Sequence, residues 1–118
     1  MKKTVKKLDN NVIKALTLAC ETAKDKVPGF SWLTHTASYD RFPGSLMVTC
    51  VFDTDEQLKQ ACEQEHDRYI RKLIQGHLLK VGVVLKDVRQ HVFFDTEQQC
   101  ELQHGGDWDT RINNKTLH

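Results

Sequence analysis

A thiol and an imidazole on neighbouring strands are the pair best suited to covalent chemistry in this chain. With a hairpin loop centred between Asp40 and Ser45, His35 falls opposite Cys50. A cysteine acts as a nucleophile near neutral pH only when a base or cation holds it as thiolate, and His35 is the candidate base. No orienting third residue and no oxyanion donor accompanies the pair, and a half-buried strand histidine accounts for the same pattern, so no catalytic residue is assigned. The carboxylates Asp53, Asp55, Glu56, Asp95 and Glu97 stand where helix starts want negative charge. Cys20, Cys50, Cys62 and Cys100 lack the Cys-x-x-Cys or Cys/His spacing of a zinc site. No metal and no cofactor is expected, and the thiols read as reduced, small, buried hydrophobes.

Cations and aromatic rings offer a second chemistry, the holding of nucleic acid. Arg68, Arg71, Lys72, His77, Lys80, Lys86 and Arg89 form a basic band, and five lysines lie at or before Lys14. Such a band can contact phosphates, although a solvated helix face with pairs such as Asp67 to Arg71 explains it equally. Trp32, His91 and Phe93 fall with Arg89 and several threonines on one face of the expected sheet, where rings could stack bases as sheet platforms for single-stranded RNA do. A half-solvated antiparallel sheet, or a dimer contact, would look the same.

The elements that must position these groups are marked by a repeat. Val51-Phe52-Asp53-Thr54-Asp55-Glu56-Gln57 and Phe93-Phe94-Asp95-Thr96-Glu97-Gln98-Gln99 each run an apolar strand into a helix start with capping-box spacing. Ahead of the first, Leu8, Val12, Ile13, Leu16, Ala19, Ala23 and Val27 recur at helical spacing until Pro28-Gly29. Residues 31–39 and 46–52 read as a hairpin, with Tyr39 opposite Leu46 and Leu33 opposite Phe52. One long helix follows, through Leu58, Ala61, Cys62, Glu65, Tyr69, Leu73, His77 and Leu78, with a kink at Gly76 and an end at Gly82. Residues 88–94 read as the third strand, and a short helix runs from Thr96 to Gly105-Gly106. The fold class is α+β, a single domain over residues 1–104 with the order α-β-β-α-β(-α). Its three-stranded antiparallel or mixed sheet carries helices on one face, and residues 105–118 form a tail anchored by Trp108.

Charge is banded beneath a net of +1. Residues 1–30 sum to +4, 53–67 to −5, 68–89 to +5 and 90–109 to −5. So near-neutral a total argues against broad, non-specific coating of nucleic acid, an objection that a specific RNA or ribonucleoprotein site survives. Lysines and Asp9 interrupt any apolar core after Met1-Lys2-Lys3, and no stretch approaches the roughly 18 apolar residues of a membrane span, so a cytoplasmic protein with no membrane partner is expected.

The stretch Leu46 to Phe52, then Tyr69 to Lys80, then Val88 to Asp95 resembles ribosome-binding factor A, whose family is a KH-like domain that assists small-subunit maturation through rRNA contacts. The likeness covers about residues 8–95 and implies a KH-like fold with RNA or a ribosomal subunit as partner. The Gly-x-x-Gly loop with which KH domains hold the backbone is missing, Gly76 and Gly82 being too far apart. Over its whole length the chain also looks like a small proteobacterial family often labelled Fis-type regulators. Lys6-Lys7-Leu8-Asp9-Asn10, Pro28-Gly29-Phe30, Trp32-Leu33-Thr34-His35, Cys50-Val51-Phe52-Asp53-Thr54 and His91-Val92-Phe93-Phe94-Asp95-Thr96-Glu97 carry that likeness. It implies DNA binding, which Fis proteins achieve with a basic C-terminal helix-turn-helix, whereas residues 90–109 here are acidic. The expected function is a non-enzymatic, nucleic-acid-associated factor, RNA before DNA. A homodimeric interaction module acting through the open sheet face or an edge strand is the alternative, and a cysteine-dependent enzyme the third.

Overall fold

The computed structural model describes residues 3–116, with side chains over residues 5–113. Helix α1 (Lys3–Lys26) leads into strands β1 (Phe30–Thr36) and β2 (Met47–Phe52). Helices α2 (Asp55–Glu63) and α3 (His66–Lys80), strand β3 (Val92–Thr96), and helices α4 (Glu97–His104) and α5 (Trp108–Thr116) follow. The sheet order is β1-β2-β3, with β1 antiparallel and β3 parallel to β2. The chain is thus one α+β domain around a mixed three-stranded sheet.

Apolar residues at threes and fours fix α1: Val12, Ala15, Leu16, Ala19 and Ala23 are all buried, as is Val27 just past its end. They pack with Ile70, Ile74 and Leu78 of α3 over the sheet face that carries Val48, Cys50, Phe52 and Val92. Phe52 sits at the centre, edge-on to Phe30 at 5.7 Å and tilted against Phe94 at 6.4 Å. Gly29 turns the chain from α1 into β1 at φ +84°, and a Cβ there would meet Gln57 at 2.8 Å, so both the conformation and the close approach require glycine.

The hairpin register runs two residues from the expected one: Leu33 pairs Cys50, His35 pairs Val48 and Thr36 pairs Met47. The connection is longer than a six-residue loop because Tyr39–Arg41 forms a 3-10 turn, and Ser45 Oγ both accepts from Ser38 N–H (2.9 Å) and donates to Ser38 C=O (2.6 Å). A slip of two keeps every side chain on its face, so the inward and outward sets stand as read.

Three other expectations are corrected. The long helix breaks between α2 and α3, where Glu65 takes a left-handed conformation at φ 61°, and Gly76 lies inside unbroken α3. After the break the buried stripe moves to Ile70, Ile74 and Leu78, leaving Tyr69 exposed. β3 begins at Val92 and not at Val88, because Asp87 caps a 3-10 turn over Val88–Gln90 by accepting from Arg89 N–H. Residues 105–118 are not a tail as far as they are described, since α5 lies on the sheet face opposite α1 and α3. There Trp108 meets Trp32 edge-on at 4.9 Å, and Arg111 clasps Asp95. Helices therefore cover both faces, and Val51 on the outer face is fully buried.

The repeated phrase ends two adjacent parallel strands, and its halves bond to each other. Thr54 Oγ1 accepts from Gln57 N–H (3.1 Å) and Gln57 Oε1 accepts from Thr54 N–H (3.2 Å), a complete capping box. Thr96 caps α4 through Gln99 N–H (3.0 Å), but the Gln99 amide turns to Asp55 Oδ2 (2.6 Å) and Thr96 donates to Asp55 Oδ1 (2.6 Å). Those two bonds hold the Asp55 carboxyl below its usual range. A carboxylate of the chain itself thus stands between two helix N-termini, the place an outside anion would otherwise take.

Candidate nucleic-acid interface

Strand direction gathers the basic residues. Asp9 of α1 accepts from Tyr39 Oη and lies 3.8 Å from His35, while Phe30 N–H bonds to Val27 C=O, so α1 runs antiparallel to β1. The Tyr39 phenol is pushed up to about 12, by burial first and then by Asp9. Because β2 and β3 are parallel, α3 must return the chain to the start of the sheet, where Val92 pairs with Val48. The start of α1 and the end of α3 consequently meet at one pole of the molecule. Lys6, Lys7, Arg41, His77, Lys80 and Lys86 belong to that pole together with Asp9, Asp40 and Asp87, and Asp53, Asp55, Glu56, Glu63, Glu65, Glu97 and Glu101 belong to the other together with Lys24, Lys26, Lys59 and Arg68.

The sequence-predicted site residues divide accordingly. His77, Lys80 and Lys86 lie at the basic pole, the two lysines exposed. Lys72 is exposed on α3, and Arg68, at the far end of that helix, pairs with Glu65 at 3.4 Å. Arg71 is committed internally. It pairs with Asp67 (3.5 Å), donates Nη2 to Val92 C=O (3.2 Å) and lies 4.9 Å from the Phe94 ring centroid. Arg89 is exposed but held in a fork by both Asp87 oxygens, at 3.1 and 3.2 Å.

The expected base-stacking platform is largely closed. Trp32 and Trp108 both donate their indole N–H to Glu97 Oε1, at 2.8 and 2.9 Å, so each occupies the other's apolar edge. His91 is not on the open face; it is buried, with Nδ1 2.7 Å from Leu46 C=O. A carbonyl only accepts, so Nδ1 carries the proton. Phe93, at the level of Thr49 and Thr34, stays 37% exposed and is the one predicted ring still available to a ligand. Sequence reasoning missed Arg111 and Glu97 as organisers of this face; the indole of Trp108 beside a basic residue was the visible signal.

The thiol pair has no activating geometry. His35 pairs Val48, and Leu33 stands opposite Cys50. Burial drives the Cys50 thiol far above its usual range, with Cys20 adding to the shift and Arg71 opposing it weakly. All four cysteines are free; Cys50 and Cys100 are buried and Cys20 is half-buried, but Cys62 is exposed, against expectation, since the stripe turns away from it at the helix break. In the native protein a maleimide or iodoacetamide should therefore label Cys62 first and slowly, while Cys50 and Cys100 label only on unfolding. Mass spectrometry of the labelled chain checks this, and rapid alkylation of Cys50 at pH 6 would restore the enzyme reading.

Among the described residues no three His, Cys, Asp or Glu side chains gather as metal ligands, and no helix is long and apolar enough to cross a membrane. No family model, curated protein or solved structure matches the chain.

Proposed function

We propose that the chain is a non-enzymatic, cytoplasmic nucleic-acid-associated factor that engages RNA before DNA, through its basic pole and not through the sheet face. The carrying observation is the convergence of Lys6, Lys7, Arg41, Lys80 and Lys86 at the strand-start end, with the half-exposed Phe93 toward the same end of the outer face. An excess of bases at one end and of acids at the other orients the molecule in the field of a polyanion. RNA takes precedence on two grounds. The order helix, strand, strand, helix pair, strand on a mixed sheet is in keeping with the KH-like resemblance. A DNA-reading C-terminal helix-turn-helix has no support, since α4 carries Glu97 and Glu101 and the Arg111 of α5 is spent on Asp95. The KH mode of gripping the backbone is not part of this reading, because the α2–α3 junction carries Glu63 and Glu65, which repel phosphate.

Fluorescence anisotropy with single-stranded RNA tests it. Lys80→Glu with Lys86→Glu should weaken binding and flatten the dependence of log K on log salt by roughly 0.7 for each phosphate no longer neutralised. Phe93→Ala should cost about 1 to 3 kcal/mol if a base stacks there. Lys24→Glu with Lys26→Glu, at the far end of α1, should change neither. Absence of binding by the wild type at low salt would end the RNA reading.

A further inference from the structure

The basic pole contains a cavity of about 520 Å³, within the roughly 300 to 1,000 Å³ of small-ligand sites. Pro43 and Gly44 of the β1–β2 connection face the stretch from Val84 to His91 across it. Hydrogen bonds fix both walls: Val48 N–H donates to His91 C=O (2.7 Å), His91 N–H to Val88 C=O (3.0 Å) and Leu46 N–H to Pro43 C=O (3.1 Å). His91 is 8% exposed, and only half of its ring is used. Nδ1 donates to Leu46 C=O, so in the neutral ring Nε2 is an acceptor. No group among the described residues bonds that nitrogen. It is not sealed either, since the sealed side-chain nitrogens without a partner are His66 Nδ1 and Arg71 Nε. A buried acceptor therefore opens on the cavity that its ring lines. Along the same wall, the N–H groups of Val84, Leu85, Lys86 and Asp87 bond no other backbone group.

Building on the reading of the basic pole as an RNA contact, we infer that this cavity takes one nucleotide, its base turned inward to His91 and its phosphate at Lys86. Pro43, Val84 and Leu85 offer apolar surface to the faces of a base. His91 Nε2 accepts from a base N–H or amino group, and the peptide N–H groups of the wall serve the ring nitrogens and carbonyls of its edge. The exposed ammonium of Lys86 meets the phosphate. Asp87 also lines the cavity, but Arg89 holds both of its oxygens, at 3.1 and 3.2 Å, so its charge is answered within the wall. A bare anion would meet the lone pair of His91, and a purely apolar ligand would leave that nitrogen and the peptide groups unpaired. A base carrying a phosphate satisfies all three, and single-stranded RNA presents its bases splayed out in this way. A free mononucleotide carries the same chemistry.

NMR titration of the isotope-labelled full chain with AMP, ribose phosphate and inorganic phosphate is the test, read at the His91 ring nitrogens and the amides of Val84 to Asp87. AMP should shift Nε2 and those amides saturably, and ribose phosphate, which lacks the base, should bind about tenfold more weakly. Val84→Asp, at an exposed lining position where folding is not at risk, should weaken AMP about tenfold by setting a carboxylate against the phosphate. Lys86→Ala should weaken it several-fold, with circular dichroism confirming the fold of each variant. An oligoadenylate that produces the same shifts at lower concentration than AMP identifies an RNA strand as the source, and equal affinity identifies a free nucleotide. AMP that leaves His91 and the amides unmoved overturns the proposal. So does equal binding of AMP and ribose phosphate, which would reduce the site to an anion contact. RNA that binds without moving these signals overturns the cavity assignment and leaves the RNA reading standing, whereas AMP binding with no binding of RNA does the opposite.

Discussion

Arg111→Ala should destabilise the protein by about 3 to 5 kcal/mol, the usual result of removing one partner from a buried ion pair. Arg111 and Asp95 are 8% and 5% exposed at their side chains, and the guanidinium fork holds both carboxylate oxygens, at 2.6 and 2.9 Å. Arg111 Nη1 also donates to Gln103 Oε1 at 2.7 Å, so the same group ties α5 to α4 and to β3. Without it, Asp95 keeps the Thr96 N–H at 2.8 Å but loses the cation that offsets most of the cost of burying its charge. Urea denaturation should show the loss as a lower midpoint. Replacing both residues by apolar ones of similar volume, Asp95→Leu with Arg111→Met, should recover much of it, because the desolvation of two charges is avoided altogether. A midpoint unchanged in Arg111→Ala would mean that α5 contributes little to holding the sheet.

Thr54→Ala and Thr96→Ala, equivalent in the repeated phrase, should not be equivalent in effect. Thr54 caps α2 at an exposed site, and its loss should lie near 0.5 kcal/mol, about the low end for caps. Thr96 is 1% exposed, caps α4, and also donates to Asp55 at 2.6 Å. Its loss should approach about 2 kcal/mol, the upper end, since one change removes the cap and a charge-assisted bond and leaves a buried void. Parallel denaturation curves of the two variants decide the order. Equal midpoints would mean that the bridge through Asp55 adds nothing to two independent caps.

What was legible in the sequence was what short-range physics writes there. Apolar spacing marked α1, alternation marked the strands, and Thr with Gln three residues on marked both helix starts. The inward and outward faces of β1 and β2 survived a two-residue error in register because side chains alternate with a period of two. The α2–α3 break was less legible, since Glu65 fits a helical spacing while Ile70, Ile74 and Leu78 belong to a stripe rotated by one residue. The C-terminal helix was illegible for a different reason. Trp108-Asp109-Thr110-Arg111 has too little apolar character to announce a packed helix, and its hold on the sheet comes from hydrogen bonds and an ion pair with residues far away in sequence. The charge bands could be counted in advance but not interpreted. Only the parallel crossover from β2 to β3 sends the end of α3 back to the start of α1, which brings part of each basic band to one end of the molecule. For the candidate site the result is selective. Lys80 and Lys86 are exposed, while Arg71, Arg89 and Trp32 each contact a carboxylate, of which the sequence showed only Asp67, one helical turn before Arg71.

The parallel pairing of β3 with β2 also imposes an order on how the chain can assemble during synthesis. Helix α1 and the β1–β2 hairpin are contiguous, so they can associate as soon as they leave the ribosome. The second neighbour of β2 comes only after α2 and α3, and the group that neutralises Asp95 comes later still, on the last helix. Contacts between distant segments form slowly because the intervening loop must close first. Throughout that interval Val51 and the rest of the outer face lie open on two strands that carry no Asp, Glu, Lys or Arg, the kind of surface on which unfinished chains associate. The docking of α5 through Trp108 and Arg111 is thus the step that ends the vulnerable period, and a ribosome pausing before that helix emerges would hold the protein at its most adhesive stage.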